Sequence, residues 1–182
     1  ALNKIPLNKS FVKKYDNIID YDLCDKIVNT VDYKEFKTAT VGDEDTNKEI
    51  RNCYTKHIAK EFDDDIFNVV SSALDKYCSD FKWCNFGVSV EDTGYNHLLY
   101  KGAEEGEYKM HVDHMDLHPR VLSCSLILND NYDGGDFVFF DEKYLIEKKK
   151  GSIIVFPSNF CFPHAITPVL NGDRHAIITW IH

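Results

Sequence analysis

The second half of this chain is a series of short β-forming segments separated by turn residues, and this pattern limits the folds that it can adopt. Gly102, Gly134-Gly135, Gly151 and Gly172 mark turns between the segments. Many short strands with such turns favour a sandwich, a barrel or a jelly roll. The predicted strands are Cys84–Glu91, His97–Lys101, Tyr108–Val112, Arg120–Leu128, Asp136–Phe140, Lys143–Glu147, Ser152–Phe156, Ala165–Leu170 and Arg174–Ile181.

Helical patterns precede the strands. Apolar residues with helical spacing predict one helix over Leu23–Val31, with Asp20 or Asp22 as its cap, and a second helix over Glu61–Tyr77. The polar stretch Thr38–Asn52 between them is interpreted as a mobile loop or an irregular hairpin. Since no repeat or linker divides the chain, we predict a single domain, 1–182, with a helical, variable front part (1–80) and a β core (81–182). The predicted fold class is α+β, mainly β, with the N-terminal helices packed on one sheet.

Charge and hydropathy exclude some partners. The formal net charge is −9, and an acidic chain is poorly suited to neutralise a phosphate backbone, so nucleic acid is not an expected partner. No apolar run approaches the length that spans a bilayer, and the N-terminus lacks the pattern of a signal peptide. We therefore expect a cytoplasmic protein with no membrane partner.

One triplet, His111-Val112-Asp113, suggests a metal site. On a strand, residues i and i+2 project to the same face, so an imidazole and a carboxylate can bind one ion together. His164, after a later apolar strand, is the candidate third ligand. Two histidines and one carboxylate leave open positions on an octahedral ion, which is typical of non-haem iron(II) oxygenases, although Zn(II) or Mn(II) can use the same ligands. By itself, a His-x-Asp pair in a chain with 8 histidines and 30 acids can also be chance.

Arg174 strengthens the metal interpretation. A three-residue loop with Gly172 in the left-handed conformation would pair Arg174 with Pro168 and direct it to the same face as His164, about 13 Å away along the sheet. A two-residue Asn-Gly loop would instead direct Arg174 and His164 to opposite faces. A guanidinium is permanently charged and binds a carboxylate in bidentate fashion, so it suits the far end of a metal-bound diacid. The alternative is an ordinary edge-strand charge.

The ordered motifs resemble the prolyl 4-hydroxylase-like branch of the 2-oxoglutarate/Fe(II)-dependent dioxygenases. The resemblance is strongest from Tyr100 to Trp180 and implies a double-stranded β-helix, or jelly-roll, core. The motifs that carry it are His111-Val112-Asp113, Arg120 before an apolar strand, Gly134-Gly135, Gly151-Ser152-Ile153-Ile154-Val155-Phe156-Pro157, His164, Arg174 and Trp180.

The resemblance implies a role for each matched residue. The implied iron ligands are His111, Asp113 and His164. The implied 2-oxoglutarate contacts are Arg174, Tyr100 and Ser123, where Ser123 is a candidate because Ile127 stands where some relatives have a second tyrosine. The implied substrate-facing residues are Arg120, Trp180 and Arg51.

The implied reaction is hydroxylation of a peptidyl proline, of the procollagen type, with dioxygen as cosubstrate, ascorbate as a candidate reductant, and release of succinate and CO2. A protein or peptide containing proline is the expected partner. A basic substrate segment would suit the acidic runs Asp43-Glu44-Asp45 and Asp63-Asp64-Asp65, which are otherwise solvated faces. The alternatives are a hydroxylase of a free amino acid or other small molecule and a non-catalytic module that binds 2-oxoglutarate or a metal.

Overall fold

The computed structural model describes residues 7–42, 45–86 and 91–182. Within these residues, α1 (Tyr21–Thr30) and α2 (Asp63–Asp80) lie where apolar periodicity predicts helices. Asp20 occupies the N-cap position of α1, but its side chain makes no capping hydrogen bond. The predicted start of the second helix, Glu61, lies in a 3-10 turn, Lys60–Phe62, that leads into α2.

The strands are short and occur along the whole described chain. They are β1 (Lys13–Tyr15), β2 (Lys37–Thr38), β3 (Arg51–Asn52), β4 (Tyr54–His57), β5 (Asn96–Lys101), β6 (Glu107–His111), β7 (Leu122–Ile127), β8 (Asp133–Gly134), β9 (Phe137–Phe139), β10 (Tyr144–Ile146), β11 (Ile153–Pro157), β12 (His164–Ile166), β13 (Val169–Asn171) and β14 (Asp173–Ile181). Short 3-10 turns lie at 7–11, 33–35, 60–62, 82–86 and 102–104.

The strands form two main antiparallel sheets. The major sheet has seven strands in the order β1-β11-β7-β14-β5-β4-β2, and the minor sheet has five in the order β10-β9-β12-β6-β3. A separate two-stranded sheet consists of β13 and β8. The mainly β architecture with few helices agrees with the predicted fold class.

The major sheet has a different partner on each face. Along β7, Leu122, Cys124 and Leu126 belong to one buried cluster with residues of α1 and α2, such as Ile27 and Ile66. The alternate positions of the sheet face the minor sheet, because side chains alternate between faces along a strand. The second buried cluster fills that space and includes Ile127, Ile154 and Phe156 of the major sheet and Phe139 and Ile166 of the minor sheet. The helices therefore pack on one sheet, as predicted, and leave its other face to the space between the sheets.

The predicted hairpin between His164 and Arg174 is wrong. The segment predicted as one strand over Ala165–Leu170 is two strands, β12 and β13, separated by Thr167 and Pro168. Proline cannot donate to a strand ladder, so β12 ends before it. β13 then pairs with β8, and Arg174 pairs with Tyr100 of β5 rather than with Pro168. Gly172 does adopt the predicted left-handed conformation, with a φ of 75°, but it connects β13 of the separate pair to β14 of the major sheet.

Other differences concern the less regular segments. The strand predicted over Cys84–Glu91 begins in a 3-10 turn, 82–86, and its residues 87–90 lie outside the described part of the chain. The polar stretch predicted as a loop or hairpin contains a bridge between Val41 and Asp45 and ends in β3. Of the two acidic runs, Asp43 and Glu44 lie outside the described residues. Asp63–Asp65 form the first turn of α2, where they complement the helix dipole on the side of the sheet away from the inter-sheet space.

None of the helices in the described part of the chain is long and apolar enough to cross a bilayer.

A buried pair of histidines predicts acid sensitivity. His97 Nε2 and His175 Nδ1 are 2.8 Å apart, and the hydroxyl of Tyr33 lies 3.3 Å from His175 Nε2. Burial lowers the pKa of His97 from 6.5 to about 3, assisted by His175, and burial lowers the pKa of His175 to about 4. The unfolded chain therefore binds more protons than the folded chain between roughly pH 6.5 and pH 4, so folding stability falls as the pH falls through this window.

Replacing His97 by Gln should make stability less dependent on pH, because one buried titrating group is removed. We expect the change in the free energy of unfolding between pH 6.5 and pH 4 to shrink, by up to about 1.4 kcal/mol per pH unit. Urea unfolding at several pH values measures this slope. His57→Gln, which changes an exposed histidine of β4, is the control; equal slopes for the two variants would refute the assignment.

Candidate metal centre

The strand pairing of the minor sheet brings the two candidate histidine ligands together. His111 is the last residue of β6, and His164, the first residue of β12, is its partner in the antiparallel register. Asp113 lies just beyond the end of β6, so it is not on a strand as predicted, but it still turns to the same side. Antiparallel pairing of the histidines and the i+2 spacing of Asp113 together explain why three residues from two segments meet.

The ligand atoms form a tight group. His111 Nε2 lies 3.3 Å and His164 Nε2 lies 3.4 Å from the same oxygen, Asp113 Oδ1. One donor atom from each of the three residues lies within 4.8 Å of the other two. Among the described residues, no other group of three histidine, cysteine or acidic side chains is close enough to hold a metal ion in this way. Asp113 and His164 are buried and His111 is half-buried, so water has limited access to the group.

Backbone carbonyls set the orientation of both imidazoles. His111 Nδ1 lies 2.8 Å from the carbonyl oxygen of Lys109, and His164 Nδ1 lies 3.0 Å from that of Phe162. Since a carbonyl oxygen only accepts, each Nδ1 carries the proton and donates. Each Nε2 is then free to bind a metal, and the hydrogen bond to Nδ1 fixes the ring in place.

Asp113 is oriented in the same way through its second oxygen. Ser123 Oγ donates to Asp113 Oδ2 at 2.7 Å, and Trp180 Nε1 donates to the same oxygen at 3.2 Å. Ser123 and Trp180 face each other across the β7–β14 pair. The major sheet thus holds one carboxylate oxygen and leaves Oδ1 for the ion.

The electrostatics of the group favour a bound cation. Burial alone would raise the pKa of Asp113, but the adjacent His164 and His111 hold it well below its usual value. Burial alone would lower the pKa of His164, and the neighbouring Asp113 raises it. Burial lowers the pKa of His111. A metal ion would therefore meet an ionised carboxylate beside the two imidazoles.

Aromatic rings enclose the two histidines. The Tyr108 ring stacks on His111 with a centroid distance of 3.5 Å and an interplanar angle of 16°. The Phe137 ring stacks on His164 at 5.6 Å, and Phe156 meets His164 edge-on at 4.8 Å. The predictions from sequence missed Tyr108, because an aromatic residue in a strand looks the same whether it fills a core or packs on a ligand.

Arg174 lies in the wall of the same inner cavity as the three candidate ligands. Its side chain is 3% exposed, and its guanidinium carbon lies 4.9 Å from the centre of the Tyr100 ring. Burial raises the pKa of Tyr132, and the nearby Arg174 opposes this shift. The structure thus brings Arg174 to the metal group from the opposite sheet, with Tyr100 and Tyr132 beside its guanidinium; Tyr132 was not predicted.

Of the other predicted site residues, Tyr100, Arg51, Arg120 and Trp180 line cavities, whereas Ser123 does not. Tyr100 lines the inner cavity. Ser123 does not; its hydroxyl contacts Asp113 and Ser158, and Ser125 lies in the inner wall instead. Arg120 lines an outer cavity of about 400 Å³, and Arg51 and Trp180 line both this outer cavity and the inner one. Their roles remain predictions.

A family model supports the interpretation of this site. Residues 95–182 match the model of the 2OG-Fe(II) oxygenase superfamily. Among curated relatives, mouse prolyl 3-hydroxylase 2 is 28% identical over 113 residues, which cover 47% of this chain and 16% of that protein. A PKHD-type hydroxylase of Shewanella baltica is 38% identical over 64 residues, 33% of this chain and 28% of that protein. The matched regions are thus minor parts of these relatives.

Solved structures show that the fold is shared over nearly the whole chain. A prolyl-4-hydroxylase from Pseudomonas putida has a TM-score of 0.72 at 22% identity and covers 94% of this chain and 92% of that chain. A prolyl hydroxylase from Trichoplax adhaerens, in complex with a hypoxia inducible factor peptide fragment, has a TM-score of 0.76 at 19% identity and covers 96% of this chain and 84% of that chain.

Proposed function

We propose that this chain is a 2-oxoglutarate- and Fe(II)-dependent oxygenase, a proposal supported by the match of residues 95–182 to the 2OG-Fe(II) oxygenase superfamily model. We propose further that it hydroxylates a C–H bond with 2-oxoglutarate and dioxygen, and that its substrate is a peptidyl proline. One observation carries this proposal. Two imidazole nitrogens and one carboxylate oxygen meet at a single point, and a buried guanidinium lies in the wall of the same cavity.

The donor atoms fit Fe(II). Two neutral nitrogens and one carboxylate oxygen leave open positions on an octahedral ion, and we propose His111, Asp113 and His164 as its ligands. When bound, Fe(II) and 2-oxoglutarate supply an oxidation in which one oxygen atom of dioxygen enters the C–H bond and the other enters succinate, with loss of CO2. The aromatic rings on the histidines exclude water from this chemistry.

The surroundings of Arg174 fit the distal carboxylate of 2-oxoglutarate. Arg174 is almost fully buried, and no carboxylate of the described residues lies within 4.0 Å of it. A buried charge without a counterion is costly, so an anionic ligand is expected there. We propose that Arg174 and Tyr100 bind this carboxylate, with Tyr132 and Ser125 beside them. Ser123 is better explained as the residue that orients Asp113.

The proposal extends to the architecture and to the accessory components. We interpret the two facing sheets as a double-stranded β-helix and the whole chain as one domain. Arg120 and Trp180 are proposed to face the substrate from the major sheet, and Arg51 from the minor sheet. Ascorbate is proposed as the reductant that restores Fe(II), in keeping with the resemblance to prolyl 4-hydroxylases.

Mass spectrometry of proline-containing peptides incubated with the protein, Fe(II), 2-oxoglutarate and air tests this function. We expect some peptides to gain one oxygen atom on proline, with succinate formed in equal amount. Omitting iron, or replacing it with Zn(II), should stop both products, which separates an oxygenase from a binding module. Peptides that stay unmodified while a free amino acid gains oxygen would refute the peptidyl substrate.

A further inference from the structure

The arginines of this chain are concentrated at one site. Of its 21 lysine and arginine residues, only Arg51, Arg120 and Arg174 are arginines. Arg174 lines the inner cavity, Arg120 lines the outer cavity, and Arg51 lines both. Among the residues that the structure describes, no lysine lines either cavity. Arginine differs from lysine in its planar, bidentate recognition of carboxylates. Since Arg174 serves 2-oxoglutarate in the proposed function, two arginines are left for another carboxylate.

The outer cavity is basic although the chain is acidic. Its wall carries Arg51 and Arg120, and the one carboxylate in its described wall is Asp113, the candidate metal ligand. The formal net charge of the whole chain is −9. A locally basic cleft in such a chain attracts anions to the cleft and not to the rest of the surface.

The Arg51 side chain is held by a hydrogen bond and by the Tyr108 ring, which separates it from His111. Its Nη1 donates to the carbonyl oxygen of Thr40 at 2.8 Å, and its guanidinium carbon lies 4.6 Å from the centre of the Tyr108 ring, which stacks on His111. Its Nε is buried and has no hydrogen-bond partner among the described residues. A buried donor without an acceptor is costly, so a ligand oxygen is the expected partner.

Arg120 approaches the same cleft from the other wall. Its guanidinium carbon lies 3.5 Å from the centre of the Trp180 ring, and its Nη1 donates to the carbonyl oxygen of Asp113 at 3.1 Å. Arg51 belongs to the minor sheet, and Arg120 lies two residues before β7 of the major sheet. The two arginines therefore line the same outer cavity from different sheets.

We propose that this cleft selects substrates that carry a carboxylate next to the C–H bond to be hydroxylated, and that Arg51 determines this specificity. The inference rests on the proposed function and refines its substrate. The expectation of a basic substrate segment stays a prediction; of its two acidic runs, Asp63–Asp65 lies in the first turn of α2, on the other side of the major sheet. The carboxylate is either that of an aspartate beside proline or the α-carboxylate of a free amino acid.

Paired ligands distinguish these sources and test the inference. Peptides with Asp or Asn beside proline, and free proline with prolinamide, differ mainly in one negative charge. Calorimetry on the Mn(II)- and 2-oxoglutarate-loaded protein should show that the acid of one pair binds about tenfold tighter or more than its amide. Arg51→Gln should remove this preference and Arg51→Lys should retain part of it. Lys37→Gln, an exposed change of equal charge on β2, should leave it intact.

Two results would overturn the inference. One is equal binding, or no binding, of acid and amide in both pairs. The other is an Arg51→Gln variant that keeps the preference and binds 2-oxoglutarate more weakly, which would assign Arg51 to the cosubstrate. Because calorimetry measures binding without turnover, the two failures are distinguishable. A protein that prefers acids through Arg51 but hydroxylates nothing would refute the proposed function, and only the carboxylate preference of the cleft would stand.

Discussion

Replacing Asp113 by Ala should abolish the iron-dependent conversion of 2-oxoglutarate to succinate. Asp113 supplies the one anionic donor among the three candidate ligands, and its Oδ1 lies within 3.4 Å of both histidine nitrogens. Loss of a residue that merely orients a ligand typically weakens metal binding about 10- to 100-fold, so loss of the ligand itself should cost at least about 100-fold. Metal affinity measured by competition with a chelating dye and succinate formation measured by mass spectrometry both report this loss.

Asp116→Ala is the matched control. Asp116 lies three residues further along the chain, and its side chain is fully exposed and 3.7 Å from His114. Removing it changes the net charge by the same amount but leaves the proposed ligands intact. An Asp113→Ala variant with the turnover and metal affinity of Asp116→Ala would show that the ion lies elsewhere.

Replacing Arg174 by Gln should greatly raise the concentration of 2-oxoglutarate needed for turnover. Removing one partner of a buried charge pair typically costs 2–5 kcal/mol, or about 30-fold to several thousandfold in affinity. Steady-state kinetics should show this as a higher KM for 2-oxoglutarate, and iron binding should change little because Arg174 is not among the proposed ligands.

A cosubstrate without the distal carboxylate tests whether Arg174 acts through that group. For 2-oxopentanoate, in which a methyl group replaces the carboxylate, wild type and Arg174→Gln should have similar and low kcat/KM values. The penalty of the substitution should thus disappear with this cosubstrate. If Arg174→Gln were equally impaired with both 2-oxo acids, Arg174 would support the fold or the metal instead.

The parts of the site that follow from local spacing could be predicted from the sequence. His111 and Asp113 are two residues apart, and this spacing directs two side chains to one side even though β6 ends at His111. Amphipathic periodicity located α1 and α2, because a helix that packs on a sheet needs an apolar stripe. His164 and Arg174 were identified by the chemistry that a metal and a diacid require, supported by the resemblance to a known family.

The parts that depend on pairing between distant segments could not be predicted in this way. Turn residues alone indicated a hairpin that would carry Arg174 to His164, whereas the chain crosses from the minor to the major sheet between them. The contact of Ser123 with Asp113 joins β7 to a loop ten residues earlier. The short strands β1 to β4 are too polar to be recognised, because their stability comes from the neighbours that they pair with.

The location of the metal ion is the most direct test of this account. A crystal of the protein grown with Mn(II) in place of Fe(II), without oxygen, can be measured by anomalous X-ray scattering. We predict one anomalous peak bonded to His111 Nε2, Asp113 Oδ1 and His164 Nε2. A saturated crystal with no peak at these three atoms, or with its peak at other residues, would contradict the account.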